Sequence, residues 1–128
     1  VPRSAPHYLR IDVYDTDVWL ATNAQQWKML RRRLSHLDAD PPESAGISHF
    51  AVFEPDDGGI STPTIALFVN IAQHHSDQAL LVNTIAHEAT HAAGQLLEHI
   101  GHAGIGGDEP RAYLVGHLAG WMWSACTN

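Results

Sequence analysis

His87, Glu88 and His91 stand in the order His-Glu-Ala-Thr-His, inside a stretch whose pattern predicts a helix over 79–100. Two histidines four positions apart lie one turn apart on the same helix face. Their imidazoles can converge on one tetrahedral zinc ion. Glu88 follows the first histidine but points in another direction. From there it can reach a water on the metal as a general base. With 10 His in the 128 residues, and Glu at its observed frequency, composition alone would produce this pattern about 0.03 times. The competing reading is a pair of surface histidines on an amphipathic helix. Leu80, Leu81, Ile85, Ala89, Leu96 and Ile100 supply the apolar surface that buries such a helix.

A catalytic zinc takes three protein ligands and keeps one position open for water. Several downstream residues could be the third. An extended HExxHxxGxxH pattern would need a glycine at 94 and a histidine at 97; Gly94 is present, but position 97 is Leu. Gly94 therefore reads as a helix–helix packing position. His99 and His102 lie on or just past the same helix, off the His87/His91 face or too far along it. Glu109 is the leading candidate, because it follows the glycine-rich break at 101–107 and opens the next helix. Such a break lets that helix turn back and present a carboxylate. Ala112, Gly116 and Gly120 form a small-residue stripe near the Glu109 face, which would let two helix backbones approach closely. The alternative for Glu109 is an acidic first-turn residue favoured by the helix dipole.

The His87-Glu88-x-x-His91 motif on one helix, with Glu109 opening the next, resembles the gluzincin-type zinc metallopeptidases. The short chain is similar to their minimal, minigluzincin-like members. The likeness covers about 85–125, and the stretch 108–116 also looks like small phage-encoded proteins of this kind. The resemblance implies Zn2+ as cofactor, with His87, His91 and Glu109 as its ligands. It implies that Glu88 activates water to hydrolyse a peptide bond, passing the proton on to the leaving amine. It also implies that a peptide or protein substrate adds as a strand along 65–71. The chain departs from the pattern at position 113. Some members carry an aspartate there to orient a zinc histidine, and this chain has Tyr113. Asp108, Asp77 or a backbone carbonyl is left for that role. Tyr113 and His117 are the candidates for the group that stabilises the transition state. Their other readings are a packed aromatic and a partly exposed helix histidine.

A second class of function is a zinc-stabilised structural or assembly protein, for example in a phage particle, with little or no catalysis. Trp121, Met122 and Trp123 could then dock a partner, although they read better as core. A complete His-Glu-His-Glu set favours catalysis, since a structural site has no use for Glu88 and usually closes the fourth position. A histidine-rich binding module without zinc is the third class.

These residues need a scaffold. Apolar and β-branched runs predict strands over 7–14, 18–21, 47–54 and 65–71. Helical spacing predicts helices over 24–37, 79–100 and 109–125, the second capped by Asp77 and the third with Pro110 in its first turn. That order indicates an α+β domain with a small, largely antiparallel or mixed sheet packed on helices. With the resemblance, this becomes a zincin-like sheet on an HExxH helix and a C-terminal helix carrying the third ligand. One domain is expected over 1–128, with 1–6 flexible or appended to the fold.

Fourteen acidic against seven basic residues give a net charge of −7, which would repel phosphates, so no nucleic-acid partner is expected. Arg31, Arg32 and Arg33 read as a solvated helix face. No apolar run reaches the roughly 18–20 residues that a membrane span needs, and no signal peptide is visible, so a cytoplasmic location is expected. Cys126 has no partner for an internal disulfide and reads as an apolar filler beside Trp123.

Overall fold

The computed structural model describes residues 5–34, 37, 45–53, 62–74, 76–101 and 108–127. Four strands form one sheet: β1 (His7–Ile11), β2 (Thr16–Ala21), β3 (Gly46–Phe53) and β4 (Thr62–Val69). Three helices accompany them: α1 (Ala24–Arg33), α2 (Gln78–His99) and α3 (Glu109–Thr127). The sheet order is β1-β2-β4-β3. β1–β2 and β3–β4 are antiparallel, and β2–β4 is parallel. The sheet is therefore mixed, and the class is α+β.

β4 shows why the layers form. Its side chains alternate between the two sheet faces. Ile65, Leu67 and Val69 join Val18, Leu20 and the apolar stripes of α2 and α3 in one core. Ala66 and Phe68 join Trp27 and Leu30 of α1, and Leu34 just after it, in a second core on the opposite face. Trp27 meets Phe68 edge-on at 5.7 Å between ring centroids. A strand buried on both faces is apolar at every position, as Ile-Ala-Leu-Phe-Val is here.

The sheet order overturns one expectation. β4 pairs with β2 on one side and β3 on the other, so it has no free edge for an added strand along 65–71. The outer strands are β1 and β3.

Local chemistry sets the boundaries. β1 ends at Ile11, short of the expected 14, because Asp12–Tyr14 form a 3-10 turn closed by Asp15 N–H donating to Asp12 O at 3.1 Å. Asp15 sits in the left-handed region at φ 49°, which a short polar side chain tolerates. Arg10 pins this turn through Asp15, and through Asp17 at 3.0 Å and Asp12 at 3.5 Å. Asn23 caps α1 by accepting from Gln26 N–H at 2.8 Å. α1 stops at Arg33 rather than 37, with its three arginines in the last turn, where the helix dipole favours them. Arg33 also stacks over Trp19, 4.9 Å from the ring centroid. Asp77 caps α2 as expected, accepting from Leu80 N–H at 3.0 Å. Among the described residues, no helix is long and apolar enough to cross a membrane.

α3 packs on α2 through Leu114, Leu118 and Met122, with Trp121 and Trp123 against the same core. The expected small-residue contact does not form. Ala112, Gly116 and Gly120 are exposed, and a Cβ at either glycine would meet no atom within 4 Å. Three large apolar residues bury more area than a glycine stripe can, so the helix docks by its leucine–methionine face. Cys126 is half-buried, as a filler should be, and burial pushes its thiol up to about 11.

Candidate active site

α2 presents two faces at the motif. Ala89, Ala92, Ala93 and Leu96 are buried in the core, and His87 and His91 lie exposed on the other side. The two Nε2 atoms face each other at 3.2 Å, with the rings near perpendicular at 80°. Zinc–nitrogen bonds of about 2.0–2.1 Å at a tetrahedral angle place two ligand nitrogens about 3.3 Å apart. The histidine pair therefore fits zinc in donor chemistry and in spacing.

Glu88 lies on the flank of α2 that faces β3 and is only 7% exposed. Its carboxyl is pushed up by burial, and the neighbouring His87 and His91 pull it partly back down. It accepts no hydrogen bond among the described residues. The residue is mostly buried, but its carboxylate oxygens are not among the fully buried unpartnered atoms of the described residues, so they keep contact with solvent. A carboxylate so placed beside two imidazoles is suited to act as a base.

The walls around Glu88 involve residues that the motif does not contain. Gly46, the first residue of β3, lies directly against it: a Cβ there would sit 2.9 Å from Glu88 Oε2, 3.0 Å from Glu88 Cγ and 2.8 Å from Thr84 Cγ2. Thr84 is one turn before Glu88 and is buried. Its hydroxyl lies 2.8 Å from Nε2 of His74, whose Nδ1 is 2.7 Å from the Asn70 carbonyl. Nδ1 must donate to that carbonyl, so the neutral ring accepts at Nε2 from the threonine. Asn70 N–H in turn donates to Ala45 O at 2.9 Å, beside Gly46. This chain of contacts ties the start of β3 to α2 beneath it. Ser48 extends the tie by donating to Gln95 Oε1 at 3.4 Å. Only one signal in the sequence pointed here: Thr84 stands four residues before Glu88, on the same helix face.

The other expected site residues lie elsewhere. Glu109 opens α3, exposed, on the helix side opposite Leu114, Leu118 and Met122. Among the described residues, no three His, Cys, Asp or Glu side chains gather around a common point. The link that sets the entry of α3, including His102, lies outside the described residues. Tyr113, 77% exposed, and His117 line a cavity of about 410 Å³ with Arg10, Asp12 and Tyr14, away from the histidine pair. His99 packs its ring on Phe50 at 5.2 Å, towards the sheet. Asp77 is engaged as the α2 cap, and Asp108 precedes α3; neither bonds to His87 or His91 among the described residues. Gly94 is a packing position, as its spacing implied, but its neighbour is the Arg111 side chain of α3.

No protein-family model matches this chain, and no curated protein or solved structure matches it either.

Proposed function

We propose that this protein is a zinc-dependent peptidase whose centre is His87, His91 and Glu88. The observation that carries the reading is the convergence of two exposed imidazole nitrogens at 3.2 Å beside a mostly buried carboxylate that makes no hydrogen bond among the described residues. His87 and His91 would hold zinc; Glu109, the expected third ligand from its place after the motif, lies on the side of α3 turned away from α2 and would join them only with a different entry of that helix. Zinc, when bound, would supply Lewis acidity for the carbonyl and for water. Glu88 takes a proton from the attacking water and delivers it to the departing amine. Its burial suits this work, because a carboxylate that is poorly solvated is a stronger base than one in water. Gly46 and Thr84 hold the Glu88 side chain against α2 and limit its freedom. β3 is an outer strand of the sheet and lies against Glu88 at Gly46, so an extended peptide would approach there rather than along 65–71. The test is hydrolysis of a mixed set of internally quenched peptides by the zinc-loaded protein. Glu88→Gln should keep its metal and lose turnover by about 10²–10⁴-fold. Equal turnover in the variant would remove Glu88 from the mechanism.

A further inference from the structure

Arg111 packs against α2 at Gly94, and no acidic side chain pairs with it among the described residues. Its guanidinium crosses α2 at Gly94: a Cβ there would stand 3.2 Å from Nη2 and 3.8 Å from Cζ. His87, His91 and Gly94 occupy positions i, i+4 and i+7 of one helix, which form a single stripe. The guanidinium therefore lies on the histidine stripe, about 4.5 Å beyond His91 along the axis. Arg111 is exposed, and it makes no hydrogen bond or ion pair among the described residues. The three ion pairs found among them all belong to Arg10. Guanidinium presents a fork of donors that matches a carboxylate. Each residue of an extended peptide spans about 3.3–3.6 Å. A carbonyl held at His87 and His91 then leaves a carboxylate one or two residues away within reach of Arg111.

We propose that Arg111 anchors a carboxylate of the substrate, so that the site takes peptides with a carboxylate one or two residues from the bond presented to His87, His91 and Glu88. This rests on the peptidase reading. The carboxylate is either the chain's C-terminus or an acidic side chain.

The test is calorimetric titration of the folded protein, metal-free and zinc-loaded, with three peptides. They are acetyl-Ala-Ala-Ala with a free C-terminus, the same peptide as its C-terminal amide, and acetyl-Ala-Glu-Ala amide. In the wild type at least one acid should bind about tenfold more tightly than the plain amide. In Arg111→Gln that preference should fall to within about twofold, while the affinity for the plain amide holds. Arg111→Lys should keep part of it, having the charge without the fork. Which acid wins identifies the source of the carboxylate. Equal binding of acids and amide by the wild type, a preference that survives in Arg111→Gln, or no binding of any of the three would each overturn the assignment. The peptidase reading fails separately, on the turnover of Glu88→Gln.

Discussion

Replacing Gly46 by alanine probes the contact between β3 and Glu88. The added Cβ would lie 2.8–3.0 Å from Thr84 Cγ2, Glu88 Oε2 and Glu88 Cγ. Ordinary carbon contacts are about 3.5–4.0 Å, so the shortfall is about 0.5–1 Å. Thr84 is buried and held by His74, and it cannot yield cheaply. The Glu88 carboxylate or the start of β3 must move instead. Overpacking of this kind costs about 1–3 kcal/mol, and an outer strand that can shift belongs at the lower end, about 1–2 kcal/mol. For a chain of 128 residues that lowers Tm by about 4–7 °C. A base displaced by close to 1 Å loses about 10²-fold in turnover. Thermal unfolding followed by circular dichroism reads the first quantity and peptide hydrolysis reads the second. Gly116→Ala and Gly120→Ala provide the contrast, since nothing lies within 4 Å of either position. Each should gain about 0.5–1 kcal/mol from helix propensity and leave turnover alone. A Gly46→Ala protein with unchanged Tm and unchanged turnover would refute the placement of β3 on Glu88.

Three further outcomes are expected. Burial raises the Glu88 carboxyl above its ordinary 4.5, so in metal-free protein the folded state keeps this proton at pH values where the unfolded chain has lost it. Stability then falls as pH rises through that window, and Glu88→Gln removes the loss: the variant should melt higher than wild type at pH 7, with the gap closing below the ordinary carboxylate range. A gap independent of pH would contradict the burial of this carboxylate. His74→Leu leaves the Thr84 hydroxyl without its imidazole partner and the Asn70 carbonyl with only its bond from Gln73 N–H at 3.1 Å, and should cost about 1–3 kcal/mol by urea unfolding. The double variant with Thr84→Val should cost less than the sum, and strict additivity would mean the two side chains do not interact. Cys126, with its thiol at about 11, should react with iodoacetamide at pH 8 about 100-fold more slowly in the folded protein than after unfolding. Equal rates would place it outside the core.

Much of the scaffold was legible because local chemistry decides it. Asp77 before a long apolar period marks the start of α2, and the contiguous run Ile65–Val69 marks a strand. That run also carried its own topology, since a strand apolar at every position must be covered on both faces. β3, with Ser48 and His49 among its apolar residues, has the composition of an outer strand. The early end of β1 depends on three aspartates gathered by Arg10, a contact between elements. α3 misled for a related reason. It is apolar on nearly every side, so its docking face follows from the fit of Leu114, Leu118 and Met122 to α2 and not from its own period. The candidate site divides in the same way. His87, Glu88 and His91 belong to one helix and could be read from spacing. Gly46 comes to Glu88 through the sheet order and His74 comes to Thr84 by a hydrogen bond from the turn before α2, while the α2–α3 packing brings Arg111 to Gly94; none of these contacts follows from the spacing of the motif.

Zinc content tests the central claim most directly. Protein prepared without a histidine tag is equilibrated with a small excess of zinc, desalted and analysed by elemental mass spectrometry. Wild type and Glu88→Gln should each retain about one zinc per chain, and the double variant His87→Ala/His91→Ala should retain none. No zinc in the wild type, or full occupancy in the double variant, would contradict a metal centre at this histidine pair.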